Sequence, residues 1–166
     1  MRKGIEINDV IAQLGLLPHP EGGYYKETYR SSSTTINTMN NASRSLSTGI
    51  YFLLTADNFS ALHKIQSDEM WHFYAGDTIE IVEIDAFGHL ILTKLGNQFN
   101  EGEVPQYVVK AGHWFGSRVY AEGNAGLVGC TVSPGFDFAD FEMGKQTDLI
   151  NAYPQHRTLI ASMTRI

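Results

Sequence analysis

The stretch Phe59-Ser-Ala-Leu-His-Lys-Ile-Gln-Ser-Asp-Glu-Met-Trp-His-Phe-Tyr-Ala-Gly76 holds the residue types best suited to chemistry. With a period of two, Ala61, His63 and Ile65 share one face of a strand and Lys64 takes the other, so His63 points inward. After the polar turn Gln66-Ser-Asp68, Glu69 shares a face with Trp71 and Phe73, two side chains that demand burial. A hairpin therefore offers an imidazole and a carboxylate to one apolar cavity. Such a pair can ligate a metal or serve as a general acid and base with displaced pKa values. It can equally be a buried, hydrogen-bonded pair with no chemistry. Tyr51 and Tyr74 are the candidate proton donors beside it. Trp114 and Phe115, in Lys110-Ala-Gly-His-Trp-Phe-Gly116, are expected to line the pocket together with Trp71, Phe73 and Phe138. Asp137, from the aromatic and acidic run 133–142, adds a polar contact. His19, His89 and His156 fall in a Pro-rich loop, a turn and a helix start, where histidines are solvated. His72 is out of phase with Glu69, and His113 follows a glycine turn that leaves its direction open.

Short β-type runs position these residues: 47–55, 59–65, 69–74, 78–84, 90–95, 106–110, 114–119 and 126–132, separated by Gly-, Asn- and Asp-containing turns. Many short strands at such intervals argue for an all-β antiparallel sandwich or barrel. Ile7, Val10, Ile11 and Leu14 mark a short amphipathic N-terminal helix stopped at Gly15. Leu149, Ile150 and Tyr153, then Leu159, Ile160 and Met163 beyond Pro154, mark helices at the other end. The polar tract 31–45 is expected to be a surface loop. With 166 residues and no linker, the chain is expected to form one domain over 1–166.

Composition narrows the partners. Twelve Lys plus Arg against eighteen Asp plus Glu give a net charge of −6, and no basic block offers phosphate a counter-charge, so nucleic acid is not an expected partner. Arg30, Arg44 and Arg118 are scattered, which speaks against nucleotide-sugar substrates and for a small neutral or weakly anionic ligand. No apolar run is long enough to span a bilayer, and no secretory h-region follows Met1-Arg-Lys, so a cytoplasmic protein without membrane contact is expected. The single cysteine, Cys130, excludes an internal disulfide, and its mid-strand place suits a buried thiol. No nucleophile elbow, phosphate loop, dinucleotide glycine pattern or paired-cysteine zinc spacing is present.

Part of the chain resembles the cupin pattern, in which Gly, His-x-His, Glu and Gly recur at set intervals. His63, Glu69 and Gly76 fit its spacing, but Ile65 stands at the second His, Lys110 at the Pro of the second motif and Phe115 at its His. The chain is more closely similar to one cupin branch, DUF985 or Cupin_5. The motifs are Leu17-Pro-His-Pro-Glu-Gly-Gly-Tyr-Tyr25, Tyr29-Arg-Ser31, Ser47-Thr-Gly-Ile-Tyr-Phe-Leu-Leu54, Ser67-Asp-Glu-Met-Trp-His-Phe-Tyr-Ala-Gly-Asp77, Trp114-Phe-Gly116 and Gly129-Cys-Thr-Val-Ser-Pro-Gly-Phe-Asp-Phe-Ala-Asp-Phe-Glu142. The resemblance implies a cupin jelly-roll β-sandwich with short terminal helices, a small-molecule pocket inside the roll and a homodimer; it implies no agreed reaction. Three functions stay open. One is metal-independent, isomerase- or epimerase-type proton transfer on a small carbonyl or sugar-like metabolite, with His63 as base and Glu69 as its partner. Another is a non-catalytic ligand-binding cupin. The last is a metal-dependent enzyme with an atypical ligand set built on His63 and Glu69, although with two of the usual four ligands gone no cofactor is the expectation.

Overall fold

The computed structural model describes residues 4–166. In chain order the elements are helix α1 (Ile7–Leu14) and strands β1 (Leu17–Pro18), β2 (Tyr24–Arg30), β3 (Thr34–Asn37), β4 (Ala42–Ser45), β5 (Thr48–Thr55), β6 (Phe59–Lys64) and β7 (Asp68–Gly76). They continue with β8 (Ile79–Ile84), β9 (Leu90–Leu95), β10 (Gln106–Val109), β11 (Trp114–Val119), β12 (Ala125–Ser133) and β13 (Glu142–Met143), then helices α2 (Gln146–Ala152) and α3 (Arg157–Ser162). One sheet runs β1-β2-β5-β12-β7-β10 and the other β13-β6-β11-β8-β9, with β3-β4 as a separate hairpin. Each of these strand pairings is antiparallel. The two sheets face each other as a jelly-roll sandwich, and the all-β expectation holds.

Alternation decides what fills the space between the sheets. Phe52, Leu54, Trp71, Ile79, Ile81, Phe115, Val128 and Cys130 meet there as the main core. The opposite face of the second sheet presents Leu62, Val82 and Ile84, and Leu149, Ile160 and Met163 of the C-terminal segment cover them. Strand β8 is thus buried on both faces, and its two glutamates are matched: Glu80 accepts from Arg118 at 2.7 Å, Glu83 from Tyr107 at 2.5 Å and from His113 at 2.6 Å. On the outer face of the first sheet, Ile7, Val10, Ile11 and Leu14 of α1 pack against Leu16, Leu53 and Ala125. Gly15 ends that helix in the left-handed conformation (φ 63°) that a glycine adopts without steric penalty.

The tract 31–45 differs from its expectation as a surface loop: it forms the β3–β4 hairpin, pairing Thr34 with Ser45 and Asn37 with Ala42. Three of its side chains, Asn37, Asn40 and Arg44, take hydrogen-bond partners from elsewhere in the chain. Asn37 is buried and donates to the Gln66 carbonyl at 2.8 Å and to Ser67 Oγ at 3.1 Å. Among the described residues no helix is long and apolar enough to cross a membrane.

Candidate functional site

A cavity of about 290 Å³ opens between the sheets at the end where β6 and β7 turn over. Its buried end is built from His63 on β6, Glu69 on β7 and Cys130 on β12, with Glu21 and His19 from the loop between β1 and β2. Its mouth is framed by Glu27 and Arg30 of β2 and by Phe136, Asp137 and Phe138 from the segment after β12.

The loop 19–23 reaches this place because of two glycines. Gly22 (φ 112°) and Gly23 (φ 77°) occupy backbone conformations closed to other residues, and a Cβ at Gly22 would collide with the Phe59 carbonyl. Pressed this close, the loop pairs with the strand below, Ala61 N–H donating to the Glu21 carbonyl at 2.9 Å. The Glu21 side chain then meets His63, with Oε2 2.9 Å from Nε2. On its other side the His63 ring donates from Nδ1 to the Ala61 carbonyl at 2.7 Å. With Glu21 ionised, as its lowered pKa makes it, two acceptors require two N–H groups, so the ring is an imidazolium held by a carboxylate. Burial alone would lower the His63 pKa, but the charge and hydrogen bond of Glu21 outweigh it and raise it. Burial would likewise raise Glu21, and His63 outweighs that and lowers it. Phe115, 4.2 Å away, and Phe141, stacked at 5.1 Å, clamp the His63 ring.

His19 is held differently. Its Nδ1 accepts from the Glu21 backbone N–H at 3.2 Å, which puts the ring proton on Nε2, and burial lowers its pKa, so it is a neutral donor. Tyr25, at 4.5 Å between ring centroids, and Phe52, at 5.9 Å, pack edge-on against it. Glu69 is the other ungripped group. It is 8% exposed, it faces the cavity, and the Cys130 thiol is its hydrogen-bond partner. Burial, with repulsion from Glu21 and against the pull of His63, pushes its pKa up to about 7. Glu69 also drives the buried Cys130 thiol well above its ordinary value, second to burial itself, so the thiol stays protonated.

The structure brings together His63, Glu69, Asp137 and Phe138 of the residues expected from sequence. Phe115 braces His63, while Trp71 lies in the core with Phe52 and Phe115, and Phe73 packs against that core. Tyr51 and Tyr74 do not line the cavity. Ile50 and Phe52 take the inner face of β5, as Glu69 and Trp71 take that of β7, so the two tyrosines meet each other outside at 6.3 Å. Trp114 also faces away, on the outer side of the second sheet under the Lys64 ammonium at 4.5 Å. His113 turns inward to Glu83, and His72 turns outward to Thr131 and Gln106. Glu21 was not among the site residues expected from sequence, and His19, expected in solvent, has a side chain only 7% exposed. The available signal was the motif 17–25 itself, where paired glycines after His-Pro-Glu mark a backbone forced into close approach.

Residues 8–144 match the Cupin_5 family, described as Cupin superfamily (DUF985). The chain belongs to this family. This cupin is 32% identical to the uncharacterized protein YML079W of Saccharomyces cerevisiae, the match covering 86% of this chain and 77% of that one. A hypothetical protein from Leishmania major superposes with a TM-score of 0.93 at 38% identity, covering 98% of this chain and all of that one. Protein SO0799 from Shewanella oneidensis follows at 0.88 and 40%, covering 97% and 98%. Oxalate decarboxylase from Bacillus subtilis shares the fold at a TM-score of 0.55 and 12% identity, over 88% of this chain and 36% of that one. Where the cupin pattern holds a metal, this chain has buried Ile65 and Phe115, and both nitrogens of His63 are engaged by Ala61 and Glu21. Among the described residues no group of three or more His, Cys, Asp or Glu side chains is arranged to hold a metal ion. The residues present do not fit a metal bound in the usual cupin manner.

Proposed function

We propose that this cupin binds a small metabolite in its cavity and moves a proton on the carbon next to that metabolite's carbonyl group. The observation that supports the reading is Glu69, a carboxyl group facing the cavity with a pKa pushed up to about 7, set beside a His63–Glu21 pair that holds its charges in place. A base titrating near neutrality is the one best matched to abstracting and returning a proton at working pH. Glu69 as carboxylate takes the C–H proton, and the electron pair moves into the carbonyl to form an enolate. The His19 Nε2–H hydrogen-bonds to the developing oxyanion, and the fixed imidazolium of His63 lowers the energy of negative charge in the same cavity. Return of the proton from Glu69 to the same carbon, on the other face once the enolate has turned over, gives the epimer. Return to the former carbonyl carbon, with the neighbouring hydroxyl proton passing to the oxyanion, gives the isomer, and neither changes the net atoms or electrons. His63 thus serves as a fixed charge rather than as the base, because its ring has no nitrogen left to accept a proton.

The test is hydrogen–deuterium exchange at carbon, followed by NMR in deuterated buffer with a panel of small hydroxy-ketones and aldoses. Exchange on at least one member is expected, and Glu69→Gln should slow it by about 10²–10⁴-fold, the usual contribution of a general base. If a panel member raises the melting temperature yet no C–H exchanges, the protein is a binder and the proton-transfer reading is wrong.

A further inference from the structure

The charges that line the cavity are not balanced. Among the described residues four acidic side chains face it (Glu21, Glu27, Asp137 and Glu69, the last titrating near 7) against two cations, His63 and Arg30, with His19 neutral. Both cations are already matched. His63 lies 2.9 Å from Glu21, and Arg30 donates to Glu27 at 2.6 Å and to the Phe136 carbonyl at 3.0 Å. Two carboxylates remain without a hydrogen-bonded cation. Glu69 meets the Cys130 thiol, and Asp137 accepts from the backbone N–H of Ala139 at 2.8 Å. Arg30 and Arg44 stand within electrostatic reach of Asp137, but each is hydrogen-bonded to another carboxylate, Arg44 to Asp140 at 2.7 Å. The wall beside Asp137 is aromatic: Phe136 and Phe138 meet at 4.9 Å, His19 lies 6.2 Å from Phe138, and Tyr25 lines the same cavity. Ring faces attract cations, and an unmatched carboxylate beside them completes a receptor for one. An anionic ligand would meet Asp137 and Glu69 and, among the described residues lining the cavity, no cation free of a carboxylate partner.

We propose that the ligand of this cavity carries a protonated amine, seated against Asp137 and the rings of Phe136, Phe138 and Tyr25 at the mouth, with its other end reaching Glu69. The second half rests on the proton-transfer reading; the charge preference does not. It also replaces the neutral or weakly anionic ligand expected from scattered arginines, since Arg30 at the mouth is taken by Glu27.

Glucosamine, glucose and glucuronate test this directly, being close in size and different in charge. Binding is read by calorimetry and thermal shift at neutral pH with each sugar up to about 10 mM, where mass action makes weak binding visible. Glucosamine should bind about tenfold more tightly than glucose, the worth of one charge-assisted hydrogen bond, and glucuronate more weakly than either. Asp137→Asn, which keeps the capping oxygen for Ala139, should bring glucosamine to the level of glucose. Equal binding of the three, a preference for glucuronate, no response to glucosamine, or a glucosamine preference that survives Asp137→Asn would each overturn the proposal. Binding with this charge order but without C–H exchange would uphold the amine and refute the proton transfer. Exchange on a neutral or acidic sugar with no amine preference would do the reverse.

Discussion

Glu69 carries a stability penalty that should be measurable. Its ordinary value is 4.5 and its folded value about 7, so the folded protein holds the proton more tightly than the unfolded chain. Between those values the unfolded state binds fewer protons, and stability therefore falls as pH rises. The gap corresponds to roughly 3 kcal/mol once both states have ionised. Glu69→Gln removes this penalty. Denaturant unfolding at pH 8 should find the variant more stable than the parent by up to roughly 3 kcal/mol, and near pH 4.5 the difference should vanish. An equal effect at both pH values would mean that Glu69 does not titrate where its environment places it. A gain in stability with a loss of proton exchange is the trade expected of a residue kept for function.

The segment 133–142 is the element that closes the cavity, and its anchorage is specific. Gly135 N–H donates to the Ser45 carbonyl at 2.7 Å and Phe136 N–H to Thr48 Oγ1 at 2.9 Å. Asp140 is gripped by Arg44 through two hydrogen bonds, 2.8 and 2.7 Å, and by Asn40 at 2.8 Å. The polar hairpin β3–β4 therefore serves as a clasp for the segment whose Phe136, Asp137 and Phe138 face the ligand space and whose Phe141 stacks on His63. Arg44→Ala should leave the fold cooperative but loosen the clasp. Amide hydrogen exchange across 136–141 should quicken, while exchange in β5 and β12 stays as in the parent. Arg44→Lys restores the charge without the two-pronged geometry and should recover only part of the protection. Unchanged exchange in the alanine variant would show that the backbone bonds to Ser45 and Thr48 suffice.

At the scale of the whole molecule, the sandwich is completed on its outer side by the chain beyond the family match. Leu149, Ile160 and Met163 are buried against Leu62, Val82 and Ile84, and Leu62 N–H donates to the Met163 carbonyl at 2.8 Å. Burying three such side chains contributes about 1.5–3 kcal/mol each, together comparable to the net stability of a domain. Deleting residues 145–166 should abolish the sigmoidal thermal transition seen by near-ultraviolet circular dichroism; a sharp transition in the truncated protein would refute this coupling. The elements themselves were legible in the sequence. Observed β9 and β11 have the expected bounds, the other predicted strands shift by one or two residues at their ends, and His63 and Glu69 face inward as period-two alternation requires. The polar hairpin was not legible, because Asn37 takes its partners from residues about thirty positions away. Tyr51 and Tyr74 were expected beside the pair because their chemistry suited a proton donor, yet they meet outside it, and for Tyr74 the alternation that turns Glu69 inward already pointed outward. Sequence by itself determined the sheet elements, the inward imidazole and the inward carboxylate, since these follow from local alternation. Only the tertiary structure decided that Glu21 rather than Glu69 pairs with His63, because that contact joins a glycine-bent loop to a strand some forty residues on, and no local rule records which carboxylate arrives first.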